Sequence, residues 1–161
     1  MSPAWGEGSS VPLQPGDALP SLAGQTLSNR SLHLPAAASG EVAVVIFSFS
    51  RAGGHEARNW ALHLSKDYPR LKIYNAIFLE SVPRLFRGMV VSGIRSGMPP
   101  SVQDRTVILY QQQNSWEQKL HLADENSAVV LVLGRTGLIR YLVSGTFAEA
   151  IYARVREEVG P

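Results

Sequence analysis

The chain has 161 residues, 45% of them hydrophobic, which is enough for one domain with a buried core and too little for a second domain. Its 15 basic and 13 acidic residues leave a formal charge of +2, which is too small to indicate a nucleic-acid surface. Cysteine is absent, which excludes disulfides, thiolate metal sites and thiol catalysis. The longest apolar run, residues 42–47, is far shorter than the about 20 residues of a membrane-spanning helix.

The beginning of the chain is predicted to be a loosely ordered arm over residues 1–16, because it is rich in Gly, Ser and Pro. It shows no basic start and no apolar segment of a signal peptide. Leucines then recur on both sides of Gly24, which predicts a short hairpin with its turn at that glycine. We expect the rest of the chain, residues 17–161, to form a single soluble domain.

Strands and helices alternate in the middle of the chain. The β-branched apolar run over residues 42–49 predicts a central strand buried on both faces. A helical pattern follows at once and ends before Pro69. Residues 71–79 predict a second strand, and Pro83 opens a second helix. The short connections predict right-handed crossovers and parallel pairing of these strands.

The second half of the chain predicts a hairpin and a closing helix. Residues 106–110 read as a short strand, and residues 128–133 and 138–144 as two antiparallel strands around a glycine-rich turn. Thr146 and Glu149 match a capping box at the start of the last helix. We expect one core to contain Val44, Ile46, Phe47, Leu131, Leu133, Ile151 and Val155.

This order of elements, with the motifs at its start, resembles the thioredoxin-like superfamily. "VVIFSFSRAGGH", residues 44–55, resembles the first strand and active-site turn of membrane-associated thioredoxin-like and peroxiredoxin proteins, and "PGDALPSLAGQTLS", residues 15–28, resembles their entry segment. The resemblance implies an α/β/α sandwich around a mixed sheet, extended by the N-terminal hairpin. It places the redox Cys-x-x-Cys motif on residues 52–55, Ala-Gly-Gly-His here, and the family's cis-proline near Ala128. The resemblance therefore implies a domain that has lost its redox site.

A narrower resemblance covers residues 41–151. An arginine-bearing helix, the pair Asp104-Arg105 and the hairpin exit Ser144-Gly145 resemble the thioredoxin-fold assembly factors of the mitochondrial ATP synthase and their bacterial relatives. This resemblance implies a binding or assembly module that engages another protein, including a subunit of a membrane complex. It implies neither a thiol–disulfide oxidoreductase nor a cysteine-dependent peroxidase.

The turn at residues 50–55 is the first candidate site. Free amide groups and the positive end of the helix dipole favour an anion or a partner backbone there, and Gly53 and Gly54 allow close approach. The alternative is that the glycines only permit the turn and that Ser50 caps the helix. A cysteine-independent enzyme or a binder of small anions would use the same residues, with only Ser50 and His55 able to transfer protons. The candidate residues are Ser50, Arg51, Gly53, Gly54, His55 and Ala128.

The second candidate site is the helix that carries Arg84, Arg87 and Arg95. Arg84 and Arg95 lie on nearly the same helical face, so the three form a basic ridge. Such a ridge suits an acidic segment of a partner or an anionic, peripheral membrane surface, and the alternative is a solvated face. If these arginines are exposed, replacing all three leaves the melting temperature unchanged. The histidines share no metal-ligand spacing, so we expect no metal and no cofactor.

Overall fold

The structure is a computed structural model that describes residues 11–160. Its strands are β1 (Leu22–Thr26), β2 (Ser31–Leu34), β3 (Ala43–Ser48), β4 (Lys72–Phe78), β5 (Thr106–Leu109), β6 (Ala128–Leu133) and β7 (Ile139–Gly145). Its helices are α1 (Arg51–Asp67), α2 (Arg84–Ser96), α3 (Pro100–Gln103), α4 (Gln113–Lys119) and α5 (Glu149–Val159). None of the helices within residues 11–160 has both the length and the apolar character that crossing a bilayer requires.

The strands form one mixed sheet in the order β2-β1-β5-β4-β3-β6-β7. The central strand β3 pairs in parallel with β4 and antiparallel with β6, and β5 continues the parallel part beyond β4. Helices α1, α2 and α5 cover one face of the sheet, while α4 and the N-terminal segment cover the other. This architecture confirms the predicted thioredoxin-like α/β/α sandwich with an N-terminal hairpin extension.

Two cores, rather than the single predicted one, lie on opposite faces of the sheet. Phe47, Leu131 and Leu133 pack on the face covered by α4. Val44, Ile46, Val155 and the partly buried Ile151 pack on the face covered by α1 and α5. The prediction of one shared core is wrong because successive side chains of a strand point to opposite faces. The predicted burial of β3 on both faces is confirmed, since every one of its residues is buried.

Gly24 lies inside β1 and not in the hairpin turn, so the predicted position of the turn is wrong. The turn instead follows β1, where the Asn29 amide donates to the Thr26 carbonyl over 2.9 Å. A Cβ atom on Gly24 would lie only 2.7 Å from Cγ2 of Val107 in β5. The glycine is therefore needed where β1 crosses closely over its neighbour.

The predicted capping box of the last helix is also wrong. Helix α5 begins after Ala148 without any side-chain cap, and the preceding Phe147 amide donates to Oε1 of Glu56 in α1 over 3.1 Å. The Tyr152 hydroxyl hydrogen-bonds to the Asp67 carboxylate at the other end of α1. Burial, and then the Asp67 charge, raise the pKa of Tyr152, so the phenol stays neutral and keeps its proton for this bond. Contacts with α1 thus hold the start of α5 in place without a side-chain cap.

Residues 1–10 of the predicted arm lie outside the described residues. Its last part contacts the domain: the Leu13 amide donates to the Lys119 carbonyl, and the Gly16 amide to the Ile139 carbonyl, each over 2.8 Å. The Leu13 side chain is buried in the α4-side core.

Helix α2 has no fully buried residue, so its arginines add to the partly buried Val90, Val91 and Ile94 in holding it to the domain. Nε of Arg95 donates to the Leu27 carbonyl over 2.9 Å. Nε of Arg87 donates to the Val82 carbonyl over 2.8 Å, and its guanidinium lies 5.0 Å from the centre of the Tyr110 ring. Arg84 is exposed. Two of the three predicted ridge residues therefore anchor the helix.

We expect Arg95→Gln to lower the free energy of unfolding by about 1–2 kcal/mol, because a hydrogen bond from a charged donor to a partly buried carbonyl is lost. Arg84→Gln is the matched control on the same helix and should change it by less than about 0.5 kcal/mol. Urea unfolding followed by circular dichroism measures both. Equal urea midpoints for the two variants would show that Arg84 and Arg95 are equivalent surface charges, as the sequence alone suggests.

Candidate functional site

The turn between β3 and α1 is occupied by its own hydrogen bonds. Oγ of Ser50 accepts from the Gly53 amide over 3.0 Å and donates its proton to the Glu125 carbonyl. The Ser50 carbonyl accepts from the Gly54 amide over 2.9 Å. Ser50 therefore caps α1, and its hydroxyl satisfies the Gly53 amide, one of the amide groups at the helix start that have no intrahelical acceptor.

The segment before β6 packs directly on this turn. A Cβ atom on Gly53 would lie 2.8 Å from the Ser127 carbonyl oxygen, whereas one on Gly54 would meet nothing within 4 Å. Ala128, which follows Ser127, is completely buried and pairs with Ser48 of β3. The structure thus brings Ser50, Gly53 and Ala128 together, and the packing of backbone on backbone takes the space between them.

Arg51 and His55, the charged and titratable members of the predicted site, point away from this packing. Both side chains are exposed, and neither has a hydrogen-bond partner among residues 11–160. The Ser50 proton is directed to a backbone carbonyl rather than to His55. A nucleophile must hydrogen-bond to its base, so the described geometry supplies no Ser–His pair for hydrolysis.

A polar cluster beside the turn has no signal in the sequence, because its members come from three separate segments. Oε1 of Glu80, at the end of β4, accepts from the Gln113 amide at the start of α4 over 2.8 Å. Nε2 of the buried Gln113 side chain donates to Oε2 of Glu117 over 3.0 Å. The negative charge of Glu117 in turn raises the pKa of the Glu125 carboxyl. Within the described part of the chain, no three His, Asp or Glu side chains are grouped so as to hold a metal ion.

The two glycines of the turn predict opposite effects of the same substitution. Gly53→Ala should destabilise the protein by about 1–3 kcal/mol, because its methyl group collides with the Ser127 carbonyl. Gly54→Ala should stabilise it by about 0.5–1 kcal/mol, because alanine favours the helix and the space is open. Urea denaturation of both variants measures these changes in the free energy of unfolding. Equal effects would mean that the segment before β6 does not rest on α1.

The Glu117–Glu125 pair predicts a pH-dependent stability. A carboxyl whose pKa is raised by folding favours its protonated form in the folded state, so stability falls as pH rises from the ordinary Glu pKa through the raised value. Glu125→Gln should therefore raise the free energy of unfolding at neutral pH by about 0.2–1 kcal/mol, the range for exposed charge pairs, with no gain in acid.

The control for this pair is Glu41→Gln, which removes a carboxylate lying 3.4 Å from the Lys72 ammonium and should give no gain at neutral pH. Thermal unfolding between acid and neutral pH compares the two variants. A Glu125→Gln protein that is less stable than wild type at neutral pH would contradict the predicted repulsion between the Glu117 and Glu125 carboxylates.

Solved structures share this fold at low sequence identity. A thiol:disulfide interchange protein DsbE from Chlorobium tepidum superposes with a TM-score of 0.63 at 14% identity, over 91% of this chain and 96% of that one. BsSco, a member of the Sco family of cytochrome c oxidase assembly proteins, gives 0.59 at 10% identity over 91% and 96%. A peroxiredoxin-like protein from Aquifex aeolicus gives 0.57 at 11% identity over 91% and 88%. These similarities show the fold.

Sequence comparison identifies the family. No curated protein matches the chain. The family model described as ATP10 protein matches residues 14–151, which is most of the chain and contains both candidate sites. The predicted resemblance to the ATP synthase assembly factors is thereby confirmed, and the chain belongs to the ATP10 protein family.

Proposed function

We propose that this protein is a redox-inactive assembly module that binds another polypeptide through the exposed face of α2. Membership of the ATP10 family supports an assembly role, and a thioredoxin-like fold without cysteine supports a role other than thiol exchange. The observation that carries the proposal is the exposure of large apolar side chains on one helix. Leu85 is 85% exposed, Met89 69% and Phe86 47%.

These three side chains form one patch, which we call the α2 patch. Positions 85, 86 and 89 are neighbours on a helix surface, while Val90, Val91 and Ile94 face the domain. Such a contiguous, solvent-exposed apolar patch is typical of an interaction surface. The α2 patch therefore provides the apolar centre of a contact, as a helix does when it binds in a partner's groove.

The charge around the α2 patch indicates the chemistry of the partner. Residues 81–103 contain three arginines and neither Asp nor Glu. Arg87 and Arg95 donate to neutral backbone carbonyls, so their charges remain, and Arg84 lies exposed beside Leu85. The matching partner is an apolar segment with acidic residues at its margin, and a subunit of a membrane complex is the proposed source of such a segment.

The turn at residues 50–55 has a smaller part in this proposal. Ser50, Gly53 and Ala128 are engaged in the packing of α1, which leaves Arg51, Gly54 and His55 accessible to a partner. The geometry favours the binding function over the small-anion alternative, because the capping hydroxyl has taken the Gly53 amide, one of the donors that an anion would need.

A site-specific photo-crosslinker tests the partner. Benzoylphenylalanine in place of Leu85, introduced into cells of the source organism, should crosslink to a subunit of the ATP synthase, identified by mass spectrometry. The same crosslinker at Leu62, a single apolar side chain on α1 that is 59% exposed, is the matched control and should give no such product. Lipid adducts alone at position 85 would instead indicate a membrane surface.

Binding affinity measures how much the α2 patch contributes to the contact with the partner. Leu85→Ser with Met89→Ser should lower the melting temperature only slightly, because both side chains are already in water and only the lower helix propensity of serine counts. The same double variant should weaken binding to the crosslinked subunit by about 100-fold, since burying two large apolar side chains contributes about 3 kcal/mol or more. Unchanged affinity would exclude the α2 patch as the contact.

A further inference from the structure

A cleft of about 600 Å³ lies between β1, α2 and the segment that leaves β5. Its floor is formed by nearly buried apolar side chains from both faces of the sheet, with Phe78 and Trp116 on the α4 side and Ile108 on the α2 side. Ala23 and Gly24 of β1 form one wall, and residues 110–112 form the other. The α2 patch is not part of its lining, so the cleft is a separate surface.

The cleft exists because the pairing of β1 with β5 stops early. The two strands pair only at Gln25 with Ile108 and at Thr26 with Val107. β1 nevertheless continues to Leu22, paired with β2 along its whole length. Continued in register, the next residues to exchange hydrogen bonds across β1 and β5 would be Ala23 and Tyr110.

Backbone groups on both walls point into the gap. The Thr26 amide donates to the Arg30 carbonyl on the β2 side, so by alternation Gln25 and Ala23 direct their amide and carbonyl groups towards β5. The Leu109 carbonyl accepts from Leu79 on the β4 side, so the groups of Tyr110 face β1. Neither Ala23 nor Tyr110 makes a backbone hydrogen bond across this gap within the described part of the chain.

Free backbone groups in a strand are complementary to another extended chain, and proteins usually protect them with charges or prolines. The residues on either side of Ala23 are Leu22 and Gly24, which provide neither. The lining also contains no acidic side chain, and its Arg95 guanidinium is positively charged. Lysine and arginine side chains are therefore disfavoured inside the cleft, while apolar ones match its floor.

We propose that this cleft binds an extended peptide segment, which pairs with the free amide and carbonyl of Ala23 and directs neutral, apolar side chains onto the floor. The geometry is that of strand addition at an interrupted ladder. This inference does not rest on the α2 patch, since it uses other residues and a different kind of recognition.

The test selects ligands from a random heptapeptide library displayed on phage, panned against the full-length protein. The expected result is a set of peptides that have apolar residues at successive positions and lack Lys and Arg, because successive side chains of the bound strand meet the two apolar sides of the floor. Amide NMR signals of Ala23 and Tyr110 should shift saturably when the best synthetic peptide is added. A library that yields no binder, or a binder whose shifts map to Leu85, Phe86 and Met89, overturns the proposal.

Backbone pairing is tested by two changes that remove amide hydrogens. The selected peptide with N-methyl groups on alternate amides should bind about 10-fold or more weakly. Ala23→Pro should have the same effect and leave the urea midpoint near the wild-type value, because proline removes only an amide without a partner. Gln25→Pro is the matched control and should lower the midpoint, because Gln25 pairs with Ile108.

If Ala23→Pro does not fold, the N-methylated peptide still decides, since equal affinity of the methylated and parent peptides would exclude strand addition. Leu85→Ser with Met89→Ser should leave peptide affinity unchanged. This last variant separates the two proposals. It should lose binding to the ATP synthase subunit and keep peptide binding, whereas Ala23→Pro should lose peptide binding and keep the crosslink.

Discussion

The burial of β3 on both faces is the constraint on which the rest of the structure depends. A strand with no exposed residue needs strands on both sides and a layer on each face, and β4, β6, α1 and α4 supply them. The same strand ends at Ser48, so the turn to α1 must lie at the carboxyl edge of the sheet, where α/β proteins place their chemistry. The position of the candidate site is thus a consequence of the core.

At this edge the protein uses the turn between β3 and α1 for packing. Residues 52–55 contain no sulfur, and the Ser50 hydroxyl joins the start of α1 to the segment before β6. Gly53 permits the backbone contact with Ser127 that a larger residue would prevent. A turn with these contacts stabilises the fold.

The sequence predicts the elements of this fold well because their signals are local. The apolar run at residues 42–49, the helix after it and the Gly134 hairpin each follow from neighbouring residues. What could not be predicted depends on distant contacts. Glu56 accepts from the Phe147 amide before α5, Gln113 joins Glu80 to Glu117, and Arg95 donates to the Leu27 carbonyl. The exposure of Leu85 could not be predicted from the sequence either, because an amphipathic pattern alone does not show which face of a helix is covered.

The weak attachment of α2 bears directly on its proposed role. The helix has no fully buried residue and is attached by three partly buried apolar side chains and by guanidinium–carbonyl bonds, which together contribute less than the cores under β3. Elements with few buried contacts open or shift at lower free energy than the core of the same domain. A partner that covers the α2 patch would therefore add the apolar burial that the isolated domain leaves unmade, and binding would order the helix as well as recognise it.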